Sequence, residues 1–190
     1  MYAFLEGGPH GTLFSYNLNT LEIKVLISGL HMPNGVQLAA DESYVLVAEC
    51  IRGRIVRYWL TGHNAGTWDF FAINLPGYPD NIRRRESGGY WVGMAAIRRH
   101  PFSLVDYLAP YPQIRAAITK VLPYFLIRSL ASQYGIIVVL DEFGNILDSL
   151  QDPGGLVVPS ASEVAEHDGV LYIGSYHANY IGKLRLRDEF

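Results

Sequence analysis

"NGVQLAADESYVLVAECIRGRIVRYWLTGHNAGTWDFFAI", residues 34–73, holds four short β-rich runs parted by Asp-Glu-Ser, Arg-Gly and Asn-Ala-Gly. Val, Ile, Tyr, Trp and Phe suit a pleated, half-buried backbone, whereas the small polar and glycine clusters suit tight turns. The stretch reads as a four-stranded antiparallel meander. Outward from it the pattern recurs. "GTLFSYNLNTLEIKVLIS" (11–28) supplies two outer strands of a preceding unit, and "DNIRRRESGGYWVGMAAI" (80–97) opens a following one. The third and fourth strands of that following unit come much later, as "YGIIVVLDEFGNILDSLQD" (134–152). "SEVAEHDGVLYIGSYH" (162–177) begins a last unit that continues into "YIGKLRL" (180–186).

Asn34 and Asp80 stand at equivalent unit entrances 46 residues apart. Four-stranded units at a period of about 45 residues mark the blades of a β-propeller, an all-β fold. Two half blades and two whole ones amount to about three blades, and propellers close with at least about four. The expectation is therefore a partial propeller over residues 1–190, the C-terminal half of a longer chain, interrupted by an insertion at 101–132. Within the insertion, Ile114, Ala117, Ile118, Val121 and Leu122 follow helical spacing, with Arg115 and Lys120 on other faces. Pro110, Pro112 and Pro123 cut it into short helices. It reads either as a cap packed on the propeller or as a lid touching a membrane surface.

Composition narrows the function. With 190 residues, 49% of them hydrophobic, and a net charge of −3, the chain has the make-up of a folded domain and no general electrostatic attraction for nucleic acid. Arg83, Arg84 and Arg85 read as a solvated turn. The single cysteine, Cys50, cannot form an internal disulfide and reads as small core filler. The most apolar runs, "YGIIVVL" and "VLPYFLI", fall far below the ~18 residues of a membrane span, and no signal peptide is expected at residue 1. No Gly-rich phosphate loop, G-x-S-x-G or zinc-spaced Cys/His set occurs. His167 and Asp168 fall at a hairpin on the far rim, where solvation accounts for them.

"MPNGVQLAADESYVLVAECIRGRIVRYWLTG" (32–62), "LPGYPDNIRRRESGGYWVGM" (75–94) and "QDPGGLVVPSASEVAEHDGVLYIGS" (151–175), with the helical insertion between them, resemble the strictosidine synthase-like family of six-bladed propellers. Members are about twice this length and carry an N-terminal membrane anchor. The resemblance implies membrane association, at the plasma membrane or in the endomembrane system, with the propeller on the lumenal or extracellular side.

In a propeller, first strands start and second strands end on one rim. That gathers Asn34, Asp80, Asn81 and Ser162 or Glu163 with Glu49, Met94 and His177, with the insertion over them. Asn34, Asp80 and Asn81 offer the oxygens that calcium prefers. Related propellers, the paraoxonases and regucalcin, hold a central calcium by an equivalent "NG" asparagine and the Asp of an Asp-Asn or Asp-Gly pair. By motif, the resemblance makes Asn34, Asp80 and Asn81 candidate metal ligands. Each could equally cap its own turn by bonding the backbone two residues on; recurrence at one blade period on the axial rim favours the metal.

Aligned on "EHDG", the acid-base glutamate of strictosidine synthases falls at Ser162, so amine-aldehyde condensation lacks its proton acceptor. Glu163 is adjacent, but neighbouring strand positions face opposite sides. The resemblance points instead to a calcium-dependent arylesterase or lactonase-like hydrolase acting on small apolar or aryl esters. His31 and His177 are the candidate catalytic residues on this rim. A non-catalytic, membrane-tethered binding module is the alternative. Leu108, Leu122, Phe125 and Leu126 of the insertion are expected to line the opening or meet the membrane.

Overall fold

The computed structural model describes residues 7–98, 103–121, 123 and 133–186. Thirteen strands run through them: β1 (Gly11–Tyr16), β2 (Ile23–Leu30), β3 (Pro33–Leu38), β4 (Tyr44–Glu49), β5 (Arg54–Trp59), β6 (Trp68–Ala72), β7 (Gly77–Arg84), β8 (Tyr90–Ile97), β9 (Gly135–Leu140), β10 (Ile146–Asp152), β11 (Ala161–His167), β12 (Val170–Ser175) and β13 (Gly182–Arg185). They form four antiparallel sheets in the orders β1-β2, β3-β4-β5-β6, β7-β8-β9-β10 and β11-β12-β13. This is a propeller arrangement, in which each sheet is one blade or part of one. The last unit carries three strands, one more than a half blade. Between β8 and β9 lie two helices, α1 (Leu104–Tyr107) and α2 (Pro112–Val121). Pro112 opens α2, where its missing N–H costs nothing.

Packing explains why several strands are apolar without alternation. All six residues of β4 and of β9 are buried. In an isolated antiparallel sheet one face would be wet. Here the alternation persists but points into two different interfaces. Tyr44, Leu46 and Ala48 of β4 pack with Ile82, Val92, Met94 and Val138 of the third sheet. Val45 and Val47, from the opposite face of β4, pack with Leu13, Ile27 and Leu30 of the first. Trp91, Ile137 and Val139 meet Val164, Leu171 and Ile173 of the fourth. Fully burying one such side chain is worth about 1.5–3 kcal/mol, so the inter-blade faces hold the blades in register. Two buried tyrosines join the second and third sheets through their hydroxyls, Tyr44 to Tyr90 at 3.0 Å.

The insertion is fastened to the blade it interrupts. Arg98, just after β8, pairs with Asp106 of α1 at 3.0 Å, and the Tyr78 and Ser103 hydroxyls bond at 2.6 Å. Leu108 sits half-buried in the turn after α1. Leu122, Phe125 and Leu126 lie outside the described residues.

Candidate active site at the axial rim

The innermost strands β3, β7 and β11 all depart from regular pairing at the same height. Register shifts between Pro33 and Val36, between Pro79 and Ile82, and between Ala161 and Glu163. Such bulges set two residues against one and re-aim side chains. The residues inside them are Asn34 and Gly35, Asp80 and Asn81, and Ser162. Gly35 lets the strands approach: a Cβ there would lie 2.6 Å from Asn81 Cα and 2.7 Å from the Asp80 carbonyl. Gly93 does the same between β8 and β11, where a Cβ would meet the Ser162 carbonyl carbon at 2.6 Å.

Three of the expected ligands are thereby brought together. The Asn34 amide donates to the Asp80 carboxylate across the β3–β7 seam. Asn81 Nδ2 donates to the Ser162 carbonyl at 3.2 Å across the β7–β11 seam, leaving the Asn81 side-chain oxygen as an acceptor. The Asn34 and Asn81 amides thus bridge neighbouring blades instead of bonding the backbone two residues on. Asp80 is partly buried, and burial first, then the charge of Glu163, pushes its carboxyl up to about 6 against the Asn34 hydrogen bond. Burial also raises the Glu163 carboxyl, opposed by Arg83, whose Nη2 lies 2.7 Å from Glu163 Oε2.

Here the structure corrects two expectations. Glu163 does not lie out of reach of the third sheet: register slips at Ser162, and the Glu163 carboxylate pairs with Arg83 of β7, the strand that carries Asp80 and Asn81. Nor are the three arginines one solvated turn. Arg83 belongs to β7 and pairs with Glu163, while the Arg85 guanidinium lies 5.0 Å from the Trp91 ring centroid, leaving Arg84 exposed.

Other rim residues are committed to structure. Glu49 is fully buried; it accepts from the His31 backbone N–H at 2.7 Å and pairs with Arg54. Met94 is fully buried in the core between the second and third sheets. Cys50 is buried, its thiol pushed up to about 12 by burial and then by the Asp80 charge, so it stays a thiol. His31 Nδ1 lies 2.8 Å from the Gly7 carbonyl, and Arg52 Nη2 lies 3.0 Å from Nε2. A carbonyl only accepts, so Nδ1 carries the proton and the Nε2 lone pair faces Arg52. His177 stacks on Tyr176 at 4.5 Å, and its backbone N–H donates to Ser175 Oγ at 3.0 Å.

The donor set fits a hard cation: a carboxylate, two amide oxygens and a second carboxylate beside them, in surroundings that disfavour uncompensated negative charge. Without a cation the raised Asp80 pKa becomes a stability effect. The folded chain holds this proton more tightly than the unfolded one, so Asp80's favourable contribution is complete below about pH 4 and is lost as pH climbs through about 6. In chelator, Asp80→Asn is expected to be more stable than the wild type at pH 8, by at most about 3 kcal/mol, and the two should converge near pH 4 in urea titrations. Equal stabilities at both pH values would show that Asp80 titrates normally.

Comparison with known proteins bears on the family and the fold. Residues 1–63 match the strictosidine synthase family. Adipocyte plasma membrane-associated protein of Bos taurus is 45% identical over 183 residues, covering 96% of this chain and 44% of that protein. Its counterpart in Gallus gallus is 43% identical over 188 residues, covering 98% and 45%. The chain is a homologue of adipocyte plasma membrane-associated protein. It spans a little under half the length of these relatives.

Solved structures agree with the homologue's fold. A luciferin-regenerating enzyme superposes with a TM-score of 0.57 at 14% identity, over 92% of this chain and 50% of that one. A gluconolactonase from Xanthomonas campestris gives 0.56 at 15%, over 87% and 42%. Regucalcin from Agrobacterium tumefaciens, described as a calcium-binding protein, gives 0.50 at 11%, over 92% and 48%. At these identities the likeness is one of fold. Among the chain's described residues no helix is long and apolar enough to cross a membrane.

Proposed function

We propose that the chain carries the axial site of a calcium-dependent ester hydrolase, arylesterase- or lactonase-like, that works at a membrane surface in the completed propeller. The observation that carries this reading is the bridging of the inner strands by Asn34 to Asp80 and by Asn81 to Ser162, with Glu163 paired to Arg83 of the same strand as Asp80 and Asn81. Asn34, Asp80 and Asn81 would hold the ion. Bound there, calcium would supply electrophilic polarisation of an ester carbonyl. The chain's own residues do the rest. The inner-strand bulges hold the donors in place, and the insertion, fastened by Arg98 and Tyr78, shelters the opening from bulk water. A histidine, His31 or His177, takes a proton from the attacking water and returns it to the departing alcohol oxygen. Arg52 Nη2 occupies the His31 Nε2 lone pair at 3.0 Å, so His31 would act only if Arg52 swings aside.

The test is metal removal. Phenyl acetate turnover by a form extended to the length of its relatives should vanish in chelator and return with calcium. Turnover that survives complete chelation would rule out the metal role. The binding-module alternative is favoured by the engagement of His31 with Gly7 and Arg52. It predicts no turnover above background with added calcium, together with capture of a lipid or protein partner.

A further inference from the structure

Hydrogen bonds between loops show which of them share the axial rim. Leu75 N–H donates to the Gly53 carbonyl at 2.9 Å, Arg98 N–H to Pro76 at 2.8 Å, and Ser160 N–H to Gln133 at 3.1 Å, linking the insertion's exit to the β10–β11 crossing. The Tyr180 hydroxyl donates to the Val157 carbonyl at 2.7 Å, joining that crossing to the β12–β13 loop. These two joined loops present Leu156, Val157, Tyr180 and Ile181 at 86%, 70%, 50% and 72% exposure. In the insertion, α2 exposes Val121 and carries Lys120, also exposed.

The far rim is richer in exposed carboxylates. Its turns carry Asp41 and Glu42, Glu86, Asp141 and Glu142, and Asp168. Asp168 N–H donates to Glu86 Oε1 at 3.0 Å, and Gly89 N–H to Glu142 Oε1 at 2.7 Å, which places these turns together. The two rims differ in their free charge: the site-rim carboxylates Asp80, Asp106, Asp152 and Glu163 are each engaged by a side-chain or backbone donor, while the far-rim turns leave exposed carboxylates beside exposed Phe143.

We propose that the Leu156–Val157 and Tyr180–Ile181 loops insert into the interface of an anionic bilayer, turning the axial opening toward the lipid. Aliphatic side chains gain by leaving water, a tyrosine suits the headgroup level, and Arg52 and Lys120 on the near rim meet negative headgroups. The acidic rim is repelled from the same surface and fixes the orientation. Docking of this kind is independent of ester turnover and of the metal, so it is read in chelator.

The experiment is co-sedimentation of the 190-residue chain with phosphatidylcholine vesicles, with and without about 20% phosphatidylserine. The chain should bind the anionic vesicles. The triple variant Leu156→Ser, Val157→Ser, Ile181→Ser should bind them about tenfold more weakly or worse, while Phe143→Ser, an 81%-exposed apolar position on the far rim, should bind as the wild type does. All four positions are exposed, and circular dichroism should be unchanged. Ile181→Trp should show fluorescence quenched by brominated acyl chains, and Phe143→Trp should not. Equal binding by the triple variant, or an equal loss in Phe143→Ser, overturns the proposal. So does a concentration-dependent dimer that the triple variant abolishes without vesicle binding, which would make a second copy the occupant of the patch.

Discussion

Asn34→Ala combined with Asp80→Ala is expected to lower kcat/KM for phenyl acetate in the completed propeller by about a thousandfold or more, while the β-sheet circular dichroism stays intact. The reasoning is local. Asn34 and Asp80 are joined to each other across the seam between two inner strands, so neither carries a blade's hydrophobic contacts. Truncating both removes a carboxylate and an amide from the donor set together and leaves Glu163 with Asn81. Calorimetric titration of calcium should lose its binding heat in parallel. A double variant that keeps both turnover and calcium binding would show that the ion, or the chemistry, lies elsewhere; one that keeps calcium but loses turnover would turn Asn34 and Asp80 into substrate-positioning residues.

Gly35→Ala should produce a large loss of stability for a single added methyl group. Its Cβ would sit within 2.6 to 2.8 Å of Asn81 Cα, the Asp80 carbonyl and the Ile82 nitrogen. All three are backbone atoms of β7, which cannot rotate away as a side chain would. Overpacking of this kind costs about 3 kcal/mol, or roughly 10 °C in melting temperature for a chain of this size. Gly169→Ala is the comparison. There φ is +66° but nothing lies within 4 Å, so only backbone strain of about 1 kcal/mol applies. Equal melting of Gly35→Ala and wild type would mean that β3 and β7 are farther apart than described.

Much of the blade pattern could be read from sequence, because it rests on residue chemistry that repeats. The runs 34–73 and 134–152 alternate or stay apolar between Gly, Asn and Asp turns, and those turns fall where the strands end. The pairing of Asn34 with Asp80 was legible from one blade period. Glu163 was not. Its visibility depends on the bulge at Ser162, and a bulge without an obligatory glycine leaves no residue signature. The role of Arg83 was hidden for the same reason, since its partner sits one irregular step along a strand 80 residues away. The burial of Glu49 under His31 and Arg54 follows from tertiary contacts that no local pattern encodes. The reason for the glycine in "PNG" became clear only with the spacing of β3 and β7, because a turn and a close backbone approach select the same residue.

The insertion between β8 and β9 has a kinetic side. Adjacent strands elsewhere in these sheets are joined by short connections, but β8 and β9 pair across everything from Arg98 to Tyr134. Closing so long a loop costs about 2 kcal/mol more chain entropy than closing a four-residue turn, and that cost falls before the pairing repays it. Docking of α1 through Asp106 and Ser103 shortens the effective loop from its first residues onward. The insertion is thus also a folding clamp: the third sheet zips up once Arg98 and Tyr78 have caught it, and weakening that catch should slow assembly more than it lowers final stability.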